Sequence, residues 1–119
     1  RVAGQEVFGQ HDEADVLETA RRCFRAMLDR PSIVTLMSRP ERWHEVPFSL
    51  ADGDGLVEGT IDSLVRDDSG LVVVEFKTGR PTPLHRAQLA IYLEAARLVA
   101  PDTPARGVLV YPGEDVWVD

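Results

Sequence analysis

From Asp12 to Arg30 the apolar residues Val16, Leu17, Ala20, Cys23, Phe24, Met27 and Leu28 recur three and four positions apart, which predicts an amphipathic helix. Asp12 is the expected N-cap, Glu13 and Asp15 suit the positive end of the helix dipole, and Pro31 marks the end. Residues 32–38 suggest one short further helical turn before Arg39-Pro40. The pattern then changes to strands, Trp43 to Leu50, Leu56 to Arg66 and Leu71 to Lys77, separated by the turn sequences Asp52-Gly53-Asp54-Gly55 and Asp67-Asp68-Ser69-Gly70. Leu71-Val72-Val73-Val74 is continuously apolar, as expected of a strand covered on both faces at the centre of a sheet. A second helical period, Leu84, Ala87, Ile91, Ala95, Leu98 and Val99, predicts a helix closed by Pro101 and Pro104. Gly107 to Tyr111 and Val116 to Val118 then read as two strands joined by Pro112-Gly113-Glu114-Asp115.

The predicted order is helix, three strands, helix, two strands. The second helix supplies the crossover that lets the third and fourth strands lie parallel, so the expected class is α/β with one mixed sheet. A chain of 119 residues, 44% hydrophobic and 28% charged, is enough for one domain with one core. No apolar run reaches the roughly 18 residues of a membrane span, and Arg1 to Glu6 lacks a hydrophobic signal core, so a soluble, cytoplasmic protein with no membrane partner is expected. The chain does not start with Met and finishes on Val116-Trp117-Val118-Asp119, which suggests a piece of a larger polypeptide.

Cys23 is the only cysteine, which excludes an internal disulfide, a four-cysteine zinc site and a cysteine-held iron–sulfur cluster. A metal in this chain must therefore be held mainly by oxygen. The formal net charge of −7 counts against a stand-alone nucleic-acid binder. That objection weakens if several acids gather at a cation site, or if a partner domain supplies the basic path.

Asp62 lies on the second predicted strand, and Glu75 and Lys77 on the third, two residues apart and so on one face. A short hairpin brings Asp62 beside them. Two carboxylates converging in an apolar sheet repel, and a hard divalent cation with oxygen ligands relieves the repulsion. Lys77 is the only lysine among 13 basic residues, the rest being arginine, so a compact ammonium occurs only beside this pair of acids. The residues alone also admit a plainer reading, in which Glu75 and Lys77 form an ion pair across the sheet and Asp62 starts a turn.

Glu45 in Glu45-Val46-Pro47-Phe48, the stretch Gly59-Thr60-Ile61-Asp62, the stretch Val74-Glu75-Phe76-Lys77-Thr78-Gly79, and Gln88-Leu89-Ala90-Ile91-Tyr92 together resemble the nuclease domain of RecB and AddA, of the PD-(D/E)xK superfamily. The resemblance spans roughly Asp15 to Val99. It implies a restriction-endonuclease-like fold, residues 1–119 forming a single nuclease domain of a larger helicase-nuclease, and hydrolysis of DNA phosphodiester bonds, by exonucleolytic processing in break repair and recombination. By the same resemblance, Asp62 and Glu75 are metal ligands, with the Phe76 carbonyl a third and Glu45 near the metal or its waters. Lys77 then positions the attacking water, while Gln88 and Tyr92, four apart on one helix face, reach the phosphate or brace Lys77. The implied cofactor is one or two Mg²⁺ ions, with Mn²⁺ a substitute. The implied partners are single-stranded DNA and a helicase domain in the same or a partner chain, in a bacterial, nucleoid-associated setting.

One departure stands out. Members of this family carry a histidine on a helix upstream that contributes to the metal site, and His11, His44 and His85 do not match its position. The residues therefore leave open a non-catalytic descendant of the fold, acting as a DNA-guiding or structural module of a helicase, and an unrelated interaction domain with an acidic surface.

Overall fold

A computed structural model describes the fold of residues 3–119 and the side chains of residues 13–119. Its elements are α1 (Ala3–Leu28), α2 (Pro31–Met37), β1 (Arg42–Asp52), β2 (Gly55–Asp67), β3 (Gly70–Phe76), α3 (Pro83–Val99), β4 (Ala105–Val110) and β5 (Asp115–Val118). The order matches the sequence expectation, with the short helix α2 added, and Pro31 opens α2 as well as closing the way for α1. Two expectations about α1 need correction. The helix begins at Ala3, so Asp12 lies within it and is not its N-cap, and His11 also lies on it. The side chains of His11 and Asp12 are outside the described residues.

The apolar stripe of α1 is mostly uncovered: Val16, Leu17, Phe24 and Leu28 are 42–55% exposed, while Met27 is fully buried. A helical period says which residues share a face, but not whether a neighbour covers that face. Cys23 is partly buried and free. No described helix is long and apolar enough to cross a membrane.

The five strands form one sheet in the order β1-β2-β3-β4-β5. β1 and β2, β2 and β3, and β4 and β5 pair antiparallel; β3 and β4 pair parallel, because α3 carries the chain back across the sheet. β3 is central, and Leu71 to Val74 are at most 5% exposed, as their continuous apolar run predicts. Pro47, which donates no backbone hydrogen bond, sits on the edge strand β1. At the β2–β3 turn, the Asp67 carboxylate accepts from the Ser69 and Gly70 amides, and Gly70 has φ 139. A side chain at Gly70 would overlap the Pro104 carbonyl oxygen, so the turn requires glycine for space as well as for backbone conformation.

One face of the sheet packs Val65, Val72, Val74, Val108 and Val110 against Met27 of α1 and Ile33 and Leu36 of α2. The other packs Ile61, Val73, Leu109 and Tyr111 against Leu89, Tyr92, Leu93 and Ala96 of α3. The buried face of α3 is thus not the predicted one. Leu84, Leu98 and Val99 are 66–85% exposed. α3 is apolar almost all the way round, so its period leaves the choice of face open, and the sheet makes that choice. Gly107 of β4 leaves a notch that the Leu89 side chain fills, approaching to 2.7 Å from where a Cβ would stand. Seating Leu89 there turns Gln88 and Tyr92 toward the C-terminal ends of β3 and β4.

Candidate active site

Strand alternation alone does not bring Asp62 beside Glu75. On β1, Val46 and Phe48 belong to the α3 side, and on β2 Ile61 does too, yet Val65 faces α1 and α2. Four residues separate Ile61 from Val65, an even step that would keep them on one face of a regular strand. The alternation breaks between them, at Asp62. The facing strand breaks at the matching place: the β1–β2 register pairs His44 with Ser63 and Val46 with Ile61, skipping Glu45 and Asp62. Glu45 has φ 51, a left-handed conformation rarely adopted by residues other than glycine. This double break re-aims the β2 side chains where the chemistry-bearing residue sits, and such strain is typically kept at functional positions.

The β2–β3 ladder also stops at this point, its last pair being Ser63 with Val74. Side chains take over from the backbone. The Asp62 amide donates to Glu75 Oε2 at 2.7 Å, and the Phe76 amide donates to Asp62 Oδ2 at 3.0 Å. Each carboxylate thus satisfies a main-chain donor of the opposite strand, which fixes both acids side by side at the fork where β2 and β3 part. Glu75 is 3% exposed and Asp62 is half-buried. Burial pushes the Glu75 carboxyl up to about 7 and the Asp62 charge pushes the same way, while the Asp62 amide and the Lys77 ammonium hold it down. The pair is therefore short of positive charge.

Lys77 leaves β3 at the same end, its backbone amide donating to the Val110 carbonyl. Its Nζ donates to Gln88 Oε1 at 2.5 Å, and Gln88 Nε2 donates to the Tyr92 hydroxyl at 3.0 Å. Among the described residues Lys77 forms no ion pair with Glu75, which sets aside the plainer reading of those two residues as a cross-sheet pair. The Tyr92 ring meets Phe48 edge-on, with centroids 5.2 Å apart. Its hydroxyl pKa is raised by burial first and then by the charges of Glu75 and Asp62, which places the Lys77–Gln88–Tyr92 chain against the two acids. α3 holds these groups because Thr82 caps it, accepting from the His85 amide, and Pro83 opens its first turn.

The structure therefore brings together Asp62, Glu75, Lys77, Gln88 and Tyr92, with the Phe76 peptide between Glu75 and Lys77. Glu45 is exposed at the break in β1. Among the described residues no group of three or more His, Cys, Asp or Glu converges on a metal position, so Glu45 is not gathered with the other two acids. His44 Nδ1 lies 2.8 Å from Ser63 Oγ, away from this cluster. Sequence reasoning passed over His85 and Tyr111, which join across 2.9 Å beside Gln88. The signal available for His85 was its spacing of three before Gln88 on one helix.

Comparison with known proteins agrees with this geometry. Residues 3–117 match the profile of the PD-(D/E)XK nuclease superfamily. The chain is 31% identical over 128 aligned positions to an ATP-dependent helicase/nuclease subunit of the AddA type from Moorella thermoacetica, an alignment covering 82% of this chain and 9% of that protein. The crystal structure of SSO0001 superimposes with a TM-score of 0.52 at 19% identity, covering 96% of this chain and 60% of that one, a likeness of fold.

Proposed function

The chain belongs to the PD-(D/E)XK nuclease superfamily and has a restriction-endonuclease-like α/β fold, and from that premise we propose that it hydrolyses DNA phosphodiester bonds with a divalent cation. The observation that carries the reading is the pair of interlocked carboxylates, Asp62 and Glu75, held beside the ammonium of Lys77. Their chemistry fits a hard cation. Mg²⁺ keeps several waters and is commonly bound by one or two carboxylates together with substrate phosphates, so two acids suffice. A carboxyl that burial and a neighbouring charge push up to about 7 is stabilised by such an ion. Asp62, Glu75 and the Phe76 carbonyl would hold it, with Mn²⁺ able to replace Mg²⁺. Once bound, the cation supplies positive charge to the scissile phosphate and acidifies water at the site.

The side chains of this protein do the rest. Gln88 accepts from Lys77 and is itself held by Tyr92, so the ammonium is fixed in place before substrate arrives. Lys77 orients the attacking water and stabilises the negative charge that develops as water adds to phosphorus. The leaving oxygen departs with the shared electron pair and takes up a proton, giving one 5′ and one 3′ end. Single-stranded DNA is the proposed substrate, cut from an end during repair of broken DNA. The proposed setting is one domain of a helicase-nuclease working at the bacterial nucleoid, where a neighbouring domain supplies the basic path that a chain of net charge −7 lacks.

A panel of end-labelled single-stranded DNA, duplex DNA and RNA, incubated with the chain and Mg²⁺ or Mn²⁺, tests the reading. Cleavage of the single-stranded DNA that stops on chelation is expected. Absence of cleavage on every substrate with either ion would leave the fold serving as a non-catalytic module.

A further inference from the structure

α3 presents more than Gln88 and Tyr92 to the site. His85 precedes Gln88 by one helical turn, so the two side chains share a face, with Cβ atoms roughly 5–6 Å apart. The His85 ring is half-buried, its centroid is 5.7 Å from that of Tyr111, and its Nδ1 is 2.9 Å from the Tyr111 hydroxyl. Tyr111 is 3% exposed and follows directly on β4. The parallel register pairs Glu75 with Leu109 and Phe76 with Val110, so its next step sets Tyr111 opposite Lys77, on the face that carries Leu109 and the α3 contacts. His85 and Tyr111 thus flank Lys77 on the side away from Asp62.

The hydrogen bond between them fixes how His85 can act. Burial, then the charge of Glu114, raises the Tyr111 hydroxyl above the usual phenol range, with Arg86 opposing, so the hydroxyl keeps its proton. Donated to Nδ1, that proton leaves the imidazole hydrogen on Nε2, directed away from Tyr111. A phenylalanine would fill the same core position; the hydroxyl adds only the orientation of His85. Arg80 and Arg86, both exposed, lie on the same loop and first helical turn. In a chain with excess acid, the basic groups beside the carboxylate pair therefore collect on one side of it.

We infer that His85, oriented by Tyr111, donates from Nε2 to a non-bridging oxygen of the phosphate that flanks the scissile one, and so positions the strand. The inference rests on the nuclease reading above. The scissile phosphate belongs to Lys77 and the two acids, and His85 stands one helical turn further along, a step of the same order as that between successive phosphates of an extended strand. His85 is a positioning residue: it acts on the register of the DNA, and the bond-breaking groups are elsewhere.

Short oligothymidylates carrying a single neutral methylphosphonate, placed at successive linkages, test this with four proteins: the unaltered chain, His85→Ala, His85→Gln and Tyr111→Phe. The unaltered chain should lose about tenfold in kcat/KM when the neutral linkage flanks the scissile phosphate on one side, the size expected for one hydrogen bond to a charged group. His85→Ala should cut the modified and unmodified strands at equal rates, His85→Gln should regain part of the discrimination, and Tyr111→Phe should weaken it. A merely structural histidine would change all rates together and leave the discrimination intact. Discrimination undiminished in His85→Ala overturns the role of His85 and leaves the nuclease reading standing. Failure of all four proteins to cut any strand removes that reading and the inference with it.

Discussion

Replacing Lys77 by alanine should lower kcat for DNA cleavage about 10³-fold while changing KM little. Groups aimed at charge that develops in the transition state are typically worth 10²–10³-fold, and more where proton transfer is shared. Lys77 is so aimed because Gln88 holds its Nζ at 2.5 Å and Tyr92 holds Gln88 at 3.0 Å. Arginine should not rescue the loss, since its planar fork is bulkier and spreads its charge, and Gln88 is placed for a compact ammonium. Lys77 is half-exposed and leaves the sheet at the end of β3, so the alanine variant should unfold within about 0.5 kcal/mol of the unaltered chain. Initial rates on a labelled single-stranded oligonucleotide at saturating Mn²⁺, with a denaturant curve for each protein, check both statements. A rate within threefold of the unaltered chain would show that Lys77 stands outside the chemistry.

Glu75→Gln should do the opposite to stability. With divalent cations chelated, the variant should be more stable than the unaltered chain at pH 8 by about 3 kcal/mol, while losing cleavage. In the folded chain the Glu75 carboxyl is pushed from its ordinary 4.5 to about 7, chiefly by burial and also by the Asp62 charge. The folded state therefore holds this proton more tightly than the unfolded state does. The corresponding stability is fully present below pH 4.5, falls as pH rises, and is gone above pH 7, at about 1.4 kcal/mol per unit of separation. Glutamine keeps an oxygen to accept from the Asp62 amide and carries no charge to bury. Thermal unfolding of both proteins between pH 4.5 and 8 should give curves that meet at the acid end and diverge toward pH 7. Parallel curves would mean that the ionised Glu75 is already compensated without a cation.

The elements were legible in the sequence, and the apolar run Leu71 to Val74 identified β3 as the central strand because burial on both faces leaves no polar alternation. The parallel pairing of β3 with β4 followed from the length of the α3 crossover. The motif residues Asp62, Glu75 and Lys77 were legible as types and spacings, and their grouping needed only a hairpin. Other features depended on tertiary choices. No local signal marks Glu45 for a left-handed backbone, since glutamate there is disfavoured by its own sterics and is held by the two strands around it. α3 offered several apolar faces, and the Gly107 notch, far away in sequence, selected the one that carries Leu89. The start of α1 was misplaced because Asp12 has the chemistry of an N-cap, and a cap residue can equally be passed through by a helix that begins earlier.

Calorimetric titration of Mn²⁺ into the unaltered chain and into Asp62→Asn addresses the cation site itself. The unaltered chain should bind the ion, and at pH 6.5 its apparent heat should vary with the ionisation enthalpy of the buffer, because binding expels the proton that Glu75 retains. Asp62→Asn should lose that binding. Equal binding by the two proteins, or none by either, would contradict the assignment of Asp62 and Glu75 as one divalent-cation site.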